Sequence, residues 1–384
     1  MRVLFSSLPA HGHTYPLIPL AVAARAAGHE VLYATGQSFK DHVAAFGLDV
    51  VPAGITIFEG FLAANGGPID RQNLTEDRLA YLQVETFGAT LARAFFDDLG
   101  PVIERAKPDL VVHETGNAGA FFAAKRAGIP GVCHGFGKVE GIVVAMNRRR
   151  ADFGAEIGVP YAVEPAQGGG DPYLDVYPPS MQNAEFVAAP YRIPIRPVPV
   201  SEPRELPAGV AGRESDRPLV FLTLGTGFGT VPVLKQVIAG LSSLDVDVLV
   251  AAGPAVDAGA LGAVPDNVRI EEWVAQAKLL PHVDAVVHHG GSGTTLGALA
   301  FGLPQLVLPQ GADQFLNAAA VEATGAGHQI LPAALSAESV RGTFQSLLVD
   351  AAIRARAEEV RAEIAAMPSP AETVPFLVER AGQR

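Results

Sequence analysis

Between positions 190 and 207 the chain carries prolines at 190, 194, 197, 199, 203 and 207. A stretch that fixes φ and removes amide donors this often cannot be a regular helix or a central strand. Regular structure must therefore break there, and a similar alternation stands on either side. Before the break, Met1 to Ser6 reads as a short strand, and Leu17, Leu20, Ala24 and Ala27 recur at helical spacing. Gly28 then stops the helix and Glu30 to Ala34 resumes as a strand. Residues 108 to 113 repeat the strand signal, 119 to 127 the helix and 129 to 133 the strand. After the break, strands are expected at 219 to 224, 246 to 251, 268 to 273, 284 to 288 and 305 to 308, and helices at 231 to 241, 294 to 300 and 314 to 324. Residues 335 to 366 are rich in Ala, Glu and Arg and read as helical. Strands alternating with helices imply parallel sheets covered on both faces. The expected fold class is α/β, with two Rossmann-like halves facing each other across a cleft. The division is residues 1–205 and 206–384, with 190–207 as the linker, and 384 residues suit two full cores. The stretches 55 to 100 and 135 to 185 exceed a minimal connection, so they are expected to be insertions that shape a pocket.

Charge narrows the partners. Lys and Arg number 28 against 40 Asp and Glu, a net charge of -12, and Arg148 to Arg150 is the longest basic run. Neither nucleic acid nor an anionic membrane suits such a surface. The single cysteine, Cys133, follows an apolar run, which fits a reducing compartment. Near the N-terminus, Pro9, His11 to His13, Pro16 and Pro19 interrupt any secretory core, and no stretch reaches the ~18 consecutive apolar residues of a membrane span. A soluble, cytoplasmic protein is expected, as a monomer or homodimer.

Several residues carry possible chemistry. His288-His289-Gly290-Gly291-Ser292-Gly293-Thr294-Thr295 joins an apolar strand to a helix. Its small residues let the backbone approach a ligand, and the helix start suits a diphosphate; a tight structural turn explains the glycines equally well. Gly225-Thr226-Gly227-Phe228-Gly229 ends another strand and offers a second phosphate-facing loop, although its spacing is not that of a dinucleotide fingerprint. His11-Gly12-His13 follows the first strand at the carboxyl edge of the sheet, where open α/β folds bind ligands. A zinc half-site would continue with Asp two residues on, and Tyr15 stands there. His13 as general base is the sharper reading, with Glu114, at the end of another strand, to orient it; an ordinary loop acid is the plainer one. Asp245 and Asp247 have metal-pair spacing but stand at the amino end of their strand and read as solvated. Trp273, the only tryptophan, is either packing or a platform for a flat base.

Taken together these residues resemble the inverting GT-B glycosyltransferases of family 1, especially the bacterial enzymes that decorate natural products. The resemblance rests on Trp273-Val274-Ala275-Gln276, Leu280-Pro281-His282, His289 to Thr294 and Pro309-Gln310-Gly311-Ala312-Asp313-Gln314-Phe315-Leu316-Asn317-Ala318, in that order, and on His13-Thr14-Tyr15-Pro16 in the first half. It implies a nucleotide sugar bound by the C-terminal domain and an acceptor by the N-terminal domain. Trp273 would stack on the base, with Val274 and Gln276 in the same donor site. Thr226, Gly227, His289, Gly291, Ser292, Gly293 and Thr294 would hold the diphosphate, and Asp313 and Gln314 the sugar hydroxyls. His13, paired with Glu114 where the family usually has Asp, would deprotonate the acceptor for a single inverting displacement. Backbone amides, the helix dipole and His289 would stabilise the leaving charge, so neither a metal nor another cofactor is expected.

The donor implied is a thymidine diphosphate deoxysugar. UDP-sugar relatives usually carry a ribose-binding Glu at the position of Gly297, which has no side chain to offer. The partners are thus a nucleotide sugar and a small aglycone, expected to be apolar because the insertions are rich in Phe, Ala and Gly. Phe58 and Phe61 are candidate acceptor contacts, while Phe121 and Phe122 read equally as core. A non-catalytic sugar-nucleotide binder would keep the donor motifs without needing His13 and Glu114. An epimerase of the same fold would need more acids in its cleft.

Overall fold

Each run expected to be a strand is one, and the strands assemble into two all-parallel sheets. The computed structural model describes residues 1–70, 73–139, 143–163 and 167–383. The first sheet contains β1 (Arg2–Ser6), β2 (Glu30–Thr35), β3 (Asp49–Pro52), β4 (Leu110–Glu114), β5 (Gly131–His134), β6 (Tyr173–Asp175) and β7 (Arg192–Pro194), in the order β3-β2-β1-β4-β5-β6-β7. The second contains β8 (Leu219–Thr223), β9 (Asp247–Ala251), β10 (Val268–Glu271), β11 (Ala285–His288), β12 (Gln305–Val307) and β13 (Gly327–Gln329), in the order β10-β9-β8-β11-β12-β13. Among the described residues no helix is long and apolar enough to cross a membrane.

Parallel strands need helical crossovers, and these cover both sheet faces with apolar side chains. In the first sheet Leu4 and Val111 pack with Phe95, Leu99 and Ala120 on one side. In the second, Val220, Leu222 and Val287 pack with Leu234, Ile238 and Phe344. Both sheets reverse strand order once, between β1 and β4 and between β8 and β11. Helices diverge to opposite faces at such a reversal, leaving a crevice beyond the strands' carboxyl ends that is the usual ligand position in open α/β sheets.

The proline-rich stretch holds one short strand after all: β7 ends in Pro194 and lies at the sheet edge, where a missing donor costs least. The chain divides into two compact units, one of Met1–Val176, Asn183–Ile195 and Pro368–Arg384, the other of Tyr177–Gln182 and Arg196–Met367. A cut at 205/206 with all C-terminal helices in the second half is therefore corrected at both places. The last helix, Pro370–Ala381, belongs to the N-terminal unit, burying Val374 and Leu377 there while Arg380 donates to the Gly131 carbonyl. A capping box, Ser369 to Glu372, opens this helix. Tyr177–Gln182 in turn belongs to the C-terminal unit, where the Tyr177 hydroxyl donates to Asn317 Oδ1 at 2.7 Å.

The first long insertion is helical: Ile57–Asn65, Glu76–Glu85 and Leu91–Ala106, with a π-helical turn at Thr86–Thr90 joining the last two. The second contributes the helix Val143–Glu156. Arg149 locks the two insertions together, donating twice to Glu85 at 2.7 and 2.9 Å. Arg150 Nε donates to the Phe87 carbonyl in the π turn at 3.4 Å. Phe121 and Phe122 are core, 1% and 0% exposed.

Candidate active site

In the N-terminal unit the loop after β1 carries His13 and the end of β4 carries Glu114, the two strands that flank the order reversal. A buried polar net fixes the loop. Tyr33 donates to Ser7 Oγ at 3.0 Å, Ser7 meets Thr14 at 2.9 Å, and Thr14 donates to the Leu8 carbonyl at 2.9 Å. His13 Nδ1 lies 3.1 Å from Glu114 Oε2, and Glu114 is fully buried. The other carboxylate oxygen, Oε1, accepts the Gly116 amide. Nδ1 is the ring nitrogen that faces the carboxylate, which leaves Nε2 as the nitrogen turned away from it. The two histidines of His11-Gly12-His13 turn to different partners: His11 packs edge-on to Tyr15, Phe39 and His42, with centroids 4.9 to 5.1 Å away.

Aromatic rings surround His13. Phe136 lies 4.6 Å from it, centroid to centroid, and Phe87 stacks at 6.3 Å. Phe61 meets Phe87 edge-on at 6.1 Å. Phe61 therefore stands one ring out from His13. Phe58, 60% exposed, has no ring contact with this set among the described residues. Phe87 and Phe136 escaped the sequence reading: Phe87 depends on the π turn, and Phe136 follows β5 with no motif around it.

In the C-terminal unit the corresponding loops follow β8 and β11. His288 is fully buried, its Nε2 2.7 Å from Gln305 Oε1, and its Nδ1 accepts the Gly290 amide at 3.0 Å. The lone pair is therefore on Nδ1, and burial, aided by neighbouring His289, lowers the imidazole pKa to about 3. Gly290 needs to be glycine. Its φ is +94°, and a Cβ would stand 2.9 Å from both the Gln314 carbonyl oxygen and Val307 Cγ1. Gly291 then caps the helix Ser292–Ala300 without a side-chain bond. The Thr294 and Thr295 amides return to the Gly291 carbonyl at 3.1 and 3.0 Å. Among the described residues the Ser292 and Gly293 amides find no acceptor, and they stand at the positive end of the helix dipole.

Side chains brace this turn. Ser292 Oγ donates to Asp313 Oδ2 at 2.8 Å, and Asn317 Nδ2 reaches the Gly290 carbonyl at 2.8 Å and Asp313 Oδ2 at 3.0 Å. Thr294 Oγ1 donates to Gln276 Oε1 at 3.2 Å. The hydroxyls of Ser292 and Thr294 are committed within the unit, so the turn offers a ligand its amides. The His289 ring lies over Gly225, whose Cβ would fall 2.5 Å from ring carbon Cε1. Burial lowers His289 to about 4, with Asp313 and the Thr223 backbone pulling the other way. A neutral imidazole can exchange a hydrogen bond there but brings no positive charge. Thr226 and Gly227 are exposed beside it.

Two residues expected in the donor site are also held within the unit. Gln314 is 2% exposed, and its Oε1 accepts the amides of Gln310 and Gly311 at 2.8 and 3.1 Å. It opens the helix Gln314–Thr324 and folds back to hold the preceding loop, so its carbonyl is taken. Val274 is 7% exposed and packs with Leu279, Leu280 and Ala298, which leaves a ligand only its backbone. Asp313 is half-buried, with Oδ2 occupied and Oδ1 without a donor among the described residues. Trp273 is half-buried beyond β10. Asp245 and Asp247 stand at the amino end of β9, Asp245 exposed to solvent, and pair with Arg217 and Arg213.

Comparison with known proteins extends this picture. The N-terminal and C-terminal domain profiles of the erythromycin biosynthesis protein CIII-like family match residues 22–225 and 235–380. The chain is 36% identical to the elloramycin glycosyltransferase ElmGT of Streptomyces olivaceus, over 97% of this chain and 95% of that one. It is similar to the crystal structure of the glycosyltransferase SnogD from Streptomyces nogalater, with a TM-score of 0.81, 31% identity and full coverage, 100% of both chains. The Streptomyces sp. SF2575 glycosyltransferase SsfS6, complexed with thymidine diphosphate, superposes with a TM-score of 0.80 at 29% identity, covering 99% of each chain.

Proposed function

The chain belongs to the erythromycin biosynthesis protein CIII-like family and is a bacterial natural-product glycosyltransferase, and from that premise we propose that it moves a deoxysugar from a thymidine diphosphate donor to a hydroxyl of an apolar aglycone, with inversion and without metal. The observation that carries the chemistry is the His13–Glu114 pair, 3.1 Å apart at the strand-order reversal and walled by Phe87 and Phe136. His13 Nε2 takes the acceptor proton as the acceptor oxygen attacks the anomeric carbon. Buried Glu114 holds the tautomer and balances the imidazolium that forms. The bond to the diphosphate breaks in the same displacement, which inverts the configuration.

The leaving diphosphate is received by the Ser292 and Gly293 amides at the start of their helix. With His289 neutral, those amides and the dipole supply the stabilisation that a metal would otherwise give. Asp313 Oδ1 accepts from a sugar hydroxyl, and Trp273 faces the base. Ring walls around His13 favour an acceptor with a flat apolar face.

The thymidine preference rests on Gly297. A Cβ there would lie 3.2 Å from Leu280 Cδ1 and 3.3 Å from Gln276 Nε2, so the space a ribose-binding carboxylate would need is packed. A ribose 2′-hydroxyl loses a partner that deoxyribose never requires, worth about 0.5 to 1.5 kcal/mol, or roughly threefold to tenfold. Calorimetric competition of TDP and UDP tests this reading. TDP is expected to bind more tightly; tighter binding of UDP overturns it.

A further inference from the structure

We propose that Phe228 lies against the donor sugar and makes this enzyme select sugars that lack a hydroxyl on the face it covers. The inference rests on the donor assignment above and adds a residue that sets the sugar class.

Phe228 stands on the loop between β8 and the helix Val231–Ser242, and this loop is anchored at both ends. Gly225 N bonds Thr223 Oγ1 at 3.2 Å, and Gly229 is buried against Val256 and Leu224. The ring is 42% exposed yet directed: it rests on Gly311, where a Cβ would fall 2.6 Å from ring carbon Cε1. Gly311 is itself fixed, because Gln314 Oε1 accepts its amide and that of Gln310. The next residue, Ala312, has a φ of +53°, a conformation that costs a non-glycine residue energy and persists only where the surroundings enforce it. That strained turn delivers Asp313, whose Oδ1 is the open acceptor for a sugar hydroxyl.

A sugar bonded to Asp313 thus has a carboxylate on one side and, two residues along the same turn at Gly311, the part-exposed ring of Phe228. A ring face receives C–H groups readily, whereas a hydroxyl pressed against it loses water and gains no equivalent bond. Selection against one added hydroxyl by an apolar wall reaches about 100-fold in enclosed pockets. For a ring open to solvent on one side about tenfold is expected.

The test uses the full chain and measures dissociation constants for TDP-glucose, TDP-2-deoxyglucose and TDP-6-deoxyglucose by calorimetric displacement of TDP. In the wild type at least one deoxygenated donor binds about tenfold more tightly than TDP-glucose. Phe228→Ser removes the apolar face and brings the ratio near one, while Phe228→Leu keeps most of the preference. Gly311→Ala acts on the same ring from the other side: its φ is not left-handed, so the added methyl displaces Phe228 and lowers the ratio without removing a polar group. A ratio near one already in the wild type would overturn the proposal. Equal weakening of all three donors in Phe228→Ser and Gly311→Ala would also overturn it, since a ring that only holds the loop would affect them alike. Failure of the wild type to bind TDP would refute the donor assignment instead.

Discussion

Replacing Glu114 by Gln leaves the number of non-hydrogen atoms unchanged and alters little volume, yet the structure predicts a severe loss of transfer. Glu114 Oε1 accepts the Gly116 amide, and Oε2 faces His13 Nδ1 at 3.1 Å. A glutamine has one oxygen for the two of them. If the oxygen stays on the Gly116 amide, the new NH₂ faces His13 Nδ1 and imposes the tautomer with the hydrogen on Nε2, which cannot accept a proton from an acceptor. If the oxygen turns to His13, the NH₂ meets the Gly116 N–H, leaving a buried donor unsatisfied at about 1 to 3 kcal/mol. The first arrangement costs only a tautomer change and should dominate. General-base catalysis is worth about 10²- to 10⁴-fold, or roughly 2.7 to 5.5 kcal/mol, and most of it should disappear. Glu114→Ala, in which water can accept from both donors, should lose less than Gln, and His13→Ala at least as much as Gln. The assay is kcat at saturating donor with a weakly acidic hydroxyl acceptor, alongside calorimetric TDP affinity, which should not change. A wild-type rate for Glu114→Gln would refute the tautomer argument.

Gly290→Ala forces a left-handed alanine, costing about 1 to 3 kcal/mol, and puts a methyl against the Gln314 carbonyl. The amide turn should shift and TDP affinity fall by about tenfold or more, and an unchanged affinity would remove this turn from the diphosphate site. Folding stability should also depend on pH. Burial holds His134, His288 and His289 at about 4, 3 and 4, against about 6.5 unfolded. The unfolded chain then binds more protons below about pH 6.5, so this stabilisation is intact above that pH and is lost as pH falls toward 4, at about 2 kcal/mol per histidine by pH 5. Equal urea midpoints at pH 7.5 and 5 would contradict it.

The two halves were legible because buried parallel strands announce themselves as short β-branched runs closed by glycine stops. His13 and Glu114 could be paired from sequence since one follows β1 and the other ends β4 at the same sheet edge. β3, β6, β7 and β13 were not found: each is only three or four residues long, too short for a periodic signal. Phe87 depends on a π turn whose extra residue defeats helical counting. The internal contacts of Gln314 and Val274 were not legible, because they depend on the Gln310–Gly311 amides and on the core beside Leu280. The last helix lies beyond the stretch read as helical, and a sequence boundary drawn once cannot show that the chain returns to the first unit.

The central claim is single-displacement transfer by a histidine base without metal. It is tested most directly by the anomeric configuration of the product formed in excess EDTA from a TDP-sugar and a hydroxylated aromatic aglycone. The structure predicts undiminished turnover and a product of anomeric configuration opposite to that of the donor. Retained configuration, or turnover that returns only with Mg²⁺, would contradict it.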